Sequence, residues 1–400
     1  MEQQVIPYGR QNVTQEDIDA VITVLQSDYL TQGPKIIEFE KAFATYVGSK
    51  FAIAVSNGTA ALHLCALALD VKEGDKVITT PITFAASANC IRYCGGEVVF
   101  SDIDPDTYLL DIEKVKELLE ASPKGTYKGL VPVDFAGRAV DLEAYRKLAD
   151  QYGLWIIEDA CHAPGGSFVD SKAEIQNCGN SIYADLAIFS FHPVKHIACG
   201  EGGMVTTNDK VLYKKLLELR THGITKNKSD YINSVDFANG NINGNSTYPA
   251  WYMEMQNLGF NYRLTDFQAA LGISQLQRAD EGILRRREIA AAYKNAFSGE
   301  SFINGQSGVV DGHAYHLYII EVQDRLGLYN YLRENKILTQ IHYIPCHLMP
   351  YYKQFGWKKS DMPKAENYYK NCISLPMYPN LCEEDLNYVI KKVINYYHKI

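Results

Sequence analysis

The stretch Asp185–Thr207, DLAIFSFHPVKHIACGEGGMVTT, decides how this chain is read. It is apolar from Leu186 to Phe191 apart from Ser190, breaks at His192-Pro193, and carries Lys195. It then passes Gly200, Gly202 and Gly203 before returning to strand-prone residues up to Thr207. A near-continuous apolar run bounded by Pro and Gly reads as a strand buried on both faces. Lys195 therefore leaves a strand on a constrained turn and points back over the sheet edge. The glycines let backbone approach a ligand closely. A lysine used for Schiff-base chemistry needs burial or cationic neighbours that lower its pKa. His192 and His196 lie four apart, but with no helix and no third ligand nearby, zinc is not expected.

Outward from this stretch the same pattern repeats. Apolar strands are predicted at Phe51–Ser56, Lys76–Thr80, Glu97–Phe100, Gly129–Asp134 and Leu154–Glu158. Helices are predicted between them at Gly58–Leu69, Phe84–Tyr93, Ile112–Glu120 and Leu142–Tyr152. Alternation of this kind implies an α/β fold with a mainly parallel sheet covered on both faces. In such folds ligands sit outside the carboxyl ends of the strands. Ser56-Asn57-Gly58-Thr59-Ala60 is then a phosphate cup at a helix N-terminus, although an ordinary Ser or Asn cap is the commoner meaning of such a turn. Phe84 follows the second strand, where an aromatic ring can lie against a planar ligand or simply join the core. In LWIIEDACHAPGG, Asp159 stands at the mouth of a buried strand, where a carboxylate is costly without a cationic partner or donors. It suits a protonated pyridine nitrogen, and His162 is placed to brace it.

Composition narrows the class. The 400 residues are 46% hydrophobic and 22% charged, with a net charge of −8, which is ordinary globular composition. No basic stripe points to nucleic acid, and no run of eighteen apolar residues points to a membrane. The opening residues carry no basic head followed by an apolar stretch, so no secretory signal is expected. Nine scattered cysteines without a CxxC suit a reducing cytoplasm; Cys90 and Cys94 read as buried thiols. About residues 225–256 the chain turns rich in Asn, Ser, Gly and Tyr, which marks an active-site flap or a mobile insertion. Helices follow at Leu264–Leu276 and Gly282–Phe297. A smaller α/β unit follows, with strands at Leu317–Val322 and Leu338–Tyr343 and a last helix near Glu383–Tyr397. The division expected is 1–260 for the large unit with its insertion and 261–400 for the connecting helices and small unit.

NGTAAL, TPITFAASAN, EDACHAPGG, FSFHPVK and GFNYRLTDFQAALG occur in this order along the chain. On these blocks the sequence resembles the DegT/DnrJ/EryC1/StrS sugar aminotransferases over essentially its whole length. The resemblance implies a fold-type I aminotransferase using pyridoxal 5'-phosphate, a homodimer with shared active sites. It implies that Lys195 carries the cofactor, Asp159 partners the pyridine nitrogen and Phe84 stacks on the ring. Thr59, Ala60 and Ser190 become phosphate ligands, His162 lies near the phenolic oxygen, and Asn261 is lent by the other subunit. LTQG at Leu30–Gly33 and QIHYIP at Gln340–Pro345 are most similar to the pseudaminic-acid branch. That implies a UDP-linked 4-keto-6-deoxy-N-acetyl hexose with glutamate as donor. A nucleotide diphosphate sugar needs a few donors and a flat surface, and the candidates offered for this are Arg10, Thr31, His222, Arg263, His342 and Tyr343. Another 4-keto sugar nucleotide is the nearest alternative. Sugar dehydratases of similar sequence carry histidine where this chain has Lys195, and a non-catalytic regulator would not need Lys195, Asp159 and Ser190 together.

Overall fold

A computed structural model describes residues 4–241, 246–305 and 311–398. Fourteen strands occur among them. They are β1 Phe51–Val55, β2 Lys76–Thr79, β3 Glu97–Phe100, β4 Tyr127–Val131, β5 Trp155–Asp159, β6 Ser167–Val169 and β7 Ile175–Asn177. Then come β8 Leu186–Ser190, β9 Gly203–Thr207, β10 Ile224–Thr225, β11 Glu254–Met255, β12 Ile303–Gly305, β13 Tyr318–Val322 and β14 Cys372–Leu375. Seven of them form the main sheet in the order β1-β9-β8-β5-β4-β2-β3. The pairs β8–β5, β5–β4, β4–β2 and β2–β3 are parallel. Strand β9 runs antiparallel to both β8 and β1. The apolar runs are buried as their sequence demands: Leu130, Val131, Ile156, Ile157, Leu186 and Ile188 are fully enclosed, each contributing about 1.5–3 kcal/mol of burial.

Local signals place the covering helices. Asn57 caps Gly58–Ala68 by accepting from the Ala60 amide at 2.8 Å. Asp141 caps Leu142–Tyr152 in the same way, and Gly153 ends that helix at φ 69°, a left-handed turn that favours glycine. Cys90 is buried and Cys94 half-buried where Ala86–Tyr93 packs on the sheet; burial raises the Cys94 thiol to about 11. Among the described residues no helix is long and apolar enough to cross a membrane.

The second unit is a three-stranded antiparallel sheet, β12-β13-β14. Helices Ala279–Phe297, Arg325–Glu334 and Glu383–His398 enclose its core. Its third strand is β14, not the expected Leu338–Tyr343. That segment bridges to the sheet through Gln340 with Ser374 of β14, and Ile337 just before it bridges to Ile6; β14 already holds the place beside β13. Freed from the ladder, the segment carries His342 and Tyr343 toward the main sheet. Ile6 belongs to this second core as well.

The insertion is more ordered than its composition suggests. Strands β10 and β11 pin its base. Inside, the Glu254 carboxylate accepts from the Ile232 and Asn233 amides at 2.7 and 3.0 Å and from the Tyr252 hydroxyl at 2.9 Å. Burial opposes ionisation there, but these donors win and hold the carboxyl at about 2. Residues 242–245 lie outside the described residues. The described part of the insertion does not line the main cavity of its own chain.

Candidate active site

The carboxyl ends of β1, β2, β5 and β8 open into a cavity of about 900 Å³. Of the residues singled out from sequence, Thr59, Ala60, Phe84, Asp159, His162, Ser190, Lys195, His342 and Tyr343 all line it. A second cavity of about 590 Å³ beside Pro105, Glu321 and Asn367 contains none of them.

Lys195 sits on the turn after β8, its amide donating to the His192 carbonyl at 2.8 Å. Its Nζ lies 3.3 Å from Nε2 of His316. Burial lowers the amine to about 8, against the opposing pull of Cys161 and Asp159. Asp159, the last residue of β5, is 4% exposed. Its Oδ2 accepts from Ser87 Oγ at 2.6 Å and its Oδ1 from the Cys161 amide at 3.2 Å. Ser87 in turn meets Thr83 Oγ1 at 2.7 Å. These groups brace Asp159 in place of the expected His162, whose ring nitrogens are engaged elsewhere. Nδ1 of His162 accepts from the Ala136 amide, and Nε2 meets the Tyr343 hydroxyl, both at 3.2 Å. Burial first, and Lys195 second, hold His162 far below the usual imidazole range, so it is neutral. With Nδ1 accepting, Nε2 carries the proton and donates to Tyr343.

At the opposite end, Asn57 consumes the amides of Ala60 and Ala61. Those of Gly58 and Thr59, in the first helical turn, are left for a ligand. Close packing fixes this cup. A Cβ on Gly203 would fall 2.6 Å from the Asn57 carbonyl carbon and oxygen, and one on Gly58 3.0 Å from Ser190 Cβ. Phe84 is 63% exposed, an unusual state for a phenylalanine among buried neighbours, and it presents its ring to the cavity.

The remaining residues singled out lie apart. Arg10, Thr31, His222 and Asn261 are exposed, and Arg263 is half-buried. Thr31 bridges to Thr265, Asn261 to Thr221, and Arg263 to Val55; His222 donates its amide to the Phe260 carbonyl at 2.8 Å. None of the five lines this chain's cavity. Conversely, Tyr8, Thr83, Ser87, Cys161, Tyr262 and His316 line it without having been singled out. Ser87 stands three residues after Phe84, and His316 just before an apolar strand; only that placement signalled them.

Residues 11–394 match the DegT/DnrJ/EryC1/StrS aminotransferase family. The chain belongs to that family. Its relatives include the spore coat polysaccharide biosynthesis protein SpsC of Bacillus subtilis, 40% identical over 397 residues, 97% of this chain and 96% of that one. Another is the UDP-4-amino-4,6-dideoxy-N-acetyl-beta-L-altrosamine transaminase of Campylobacter jejuni, 34% identical over 403 residues, 99% of this chain and 98% of that one. Among solved structures, Helicobacter pylori PseC, an aminotransferase of pseudaminic acid biosynthesis, superposes with a TM-score of 0.86 at 29% identity, covering 99% of this chain and 100% of that one. The fold is that of the fold-type I aminotransferases, and the chain is a sugar aminotransferase that works with pyridoxal 5'-phosphate.

The cavity's donor set fits that cofactor. A buried carboxylate with two internal donors, an amine of lowered basicity, an exposed aromatic face and a cup of free amides are arranged around one space. They match, in kind, a pyridine nitrogen, an aldehyde, a planar ring and a phosphate.

Proposed function

We propose that this enzyme moves an amino group from glutamate to the C4 keto group of a UDP-linked 2-acetamido-2,6-dideoxy-4-keto-L-hexose, as a homodimer. The observation that carries the substrate is the full-length relation to the Campylobacter jejuni transaminase, together with the LTQG and QIHYIP segments.

Each residue then has a task. Bound pyridoxal phosphate supplies an electrophilic carbon for amines and a ring that accepts the electrons of a broken C–H bond. Asp159 keeps a proton at the ring nitrogen, and Ser87 keeps Asp159 aimed. Lys195 holds the cofactor between turnovers and moves the proton at the amino-bearing carbon, acting as base and then as acid. With its amine lowered to about 8, about a tenth of it is neutral at pH 7 when free. The amides of Gly58 and Thr59, with the Thr59 and Ser190 hydroxyls, hold the phosphate. Phe84 covers the ring and keeps water from it. His342 and Tyr343, delivered from the second unit, face the sugar. Asn261 completes the partner's site from its exposed position, and Arg10, Thr31, His222 and Arg263 serve the nucleotide across the same interface.

A different sugar nucleotide is the second reading, favoured by the 40% identity to SpsC. The deciding experiment is a side-by-side assay with glutamate. It compares the UDP-linked N-acetyl 4-keto hexose, a dTDP-linked 4-keto-6-deoxy hexose and a UDP-linked 4-keto pentose, with products read by mass spectrometry. The highest kcat/KM is expected for the first; a higher value for either of the others replaces it as the substrate.

A further inference from the structure

The described histidines His162, His196 and His316 form a packed group around Lys195. The His162 and His316 rings lie 4.3 Å apart between centroids, and His196 and His316 5.7 Å. His316 is 4% exposed and is the one that touches the amine, Nε2 to Nζ at 3.3 Å. Its Nδ1 is buried with no hydrogen-bond partner among the described residues. Behind it, the enclosed Arg286 donates Nη1 to the carbonyls of Tyr315, His316 and Met377 at 3.2, 3.3 and 2.9 Å, which fixes the backbone that carries the ring.

We infer that His316 is a positioning residue for the reaction: its Nε2 lone pair accepts a hydrogen bond from the Lys195 ammonium and holds the amine in place whenever it is not bonded to cofactor. The charges around it decide between acceptor and base. Burial is the largest influence against a cation on the His316 ring, and the groups facing it, Lys195, His162, His196 and Arg286, are all basic and act in the same direction. Were Lys195 to pass its proton to His316, an imidazolium would stand beside a guanidinium with no carboxylate among those neighbours. Like charges at that distance in a buried site are strongly unfavourable. The proton therefore stays on Lys195, and His316 stays neutral with its own proton on Nδ1. That nitrogen's lack of a partner is the cost of keeping Nε2 open as an acceptor. The role rests on Lys195 being the working lysine, but the contact itself can be tested separately.

Lys195 reactivity can be followed in the full chain with cofactor removed by dialysis. A pulse of acylating reagent at each pH, followed by peptide mass spectrometry, gives the midpoint for Lys195. An acceptor for an ammonium favours the charged form. Removing it in His316→Phe, at similar burial, should lower the midpoint by about one pH unit, as expected for one hydrogen bond to a charged group. His316→Gln, whose amide oxygen accepts at a similar reach, should restore the midpoint to near the parent's. A His316→Phe midpoint equal to the parent's, or a His316→Gln shift as large, overturns the proposal. Nitrogen NMR of the unaltered chain gives a second readout that needs no variant. It should find His316 neutral and protonated on Nδ1 from pH 6 to 9 (a range of about three units around the Lys195 titration). An imidazolium, or the Nε2–H tautomer, overturns the proposal equally. Failure of Lys195 as the working lysine would show instead as retained turnover in Lys195→Ala, which leaves these labelling outcomes untouched.

Discussion

Ser87 Oγ donates a 2.6 Å hydrogen bond to Oδ2 of Asp159, across 72 residues of sequence. The serine is supplied by the helix after β2, the carboxylate by the end of β5. A buried carboxylate held by a neutral hydroxyl and one amide keeps its charge available for a cation entering the cavity. Asp159→Asn keeps this shape and removes the charge, so kcat should fall by roughly 10²-fold or more with little change in Tm. Ser87→Ala should lower kcat about tenfold, the equivalent of one hydrogen bond to a charged group. Steady-state kinetics beside thermal melts separate the two effects; an Asp159→Asn enzyme with parental kcat would remove the role assigned to the carboxylate.

Gly203 lies against the carbonyl of Asn57, the residue that caps the phosphate cup. In Gly203→Ala the new Cβ would meet backbone 2.6 Å away, and backbone cannot swing aside as a side chain can. The cup should open and cofactor affinity should drop roughly 5- to 150-fold, matching an overpacking cost of about 1–3 kcal/mol. Fluorescence titration of stripped protein with pyridoxal phosphate measures this. Unchanged affinity would mean that the cup does not bind the phosphate.

Asn261 is exposed in the single chain, although Tyr262 beside it lines the cavity. If Asn261 serves a partner's phosphate, Lys195→Ala and Asn261→Asp should each be inactive alone. Mixed and reassociated, they should regain activity, because one site of the mixed dimer has both native residues. Subunit exchange without recovered turnover, or an active monomer by light scattering, would end the shared-site proposal.

Near Asp159 lies a buried cluster of three further groups. One ligand atom each of Asp134, Glu158 and Cys178 falls within 4.8 Å of the others. Burial pushes Asp134 up to about 7 and Glu158 upward as well. Such a group binds its proton more tightly in the folded state. The stabilisation is present at low pH and is lost as pH rises from the ordinary carboxylate range through about 7. Asp134→Asn keeps an acceptor for the Val140 amide, now donated to Asp134 Oδ1 at 2.8 Å, and removes the titration. Its Tm should decline less than the parent's between pH 5 and 8, roughly the window set by these shifts. Parallel curves would show that Asp134 holds no extra proton in the folded state.

The main sheet was legible because a strand buried on both faces must be largely apolar: β1 is so throughout, and β2, β5, β8 and β9 have apolar centres with their polar residues toward the ends. Asp159 and Lys195 stood out because charge at the mouth of such a strand is costly without a purpose. Ser87 and His316 did not. A hydroxyl on a helix and a histidine before a strand are ordinary in sequence, and only the approach of distant segments gives them partners. The second unit was harder for a related reason. Leu338–Tyr343 has the composition of a strand, but β14 had taken its place, and sequence carries no sign of that competition. Within the insertion, Glu254 and its tyrosines build a small internal framework from residues that usually mark loops, which composition alone does not reveal.

Ile6 donates to the Lys336 carbonyl and accepts from the Leu338 amide, and Tyr8 accepts from Met377. A ribosome would release Ile6 some 330 residues ahead of its partners Lys336 and Leu338. Throughout that interval the large sheet can assemble while the early segment waits, and Tyr8, which lines the cavity, waits with it. Closing so long a loop is slow and comes late. On this reasoning the pocket is completed late, by a piece of chain made well before its partners. A fragment cut at residue 261 would keep the later helices but expose the backbone edge at Ile337–Leu338, and should recover its solubility when a peptide spanning residues 4–12 is added back.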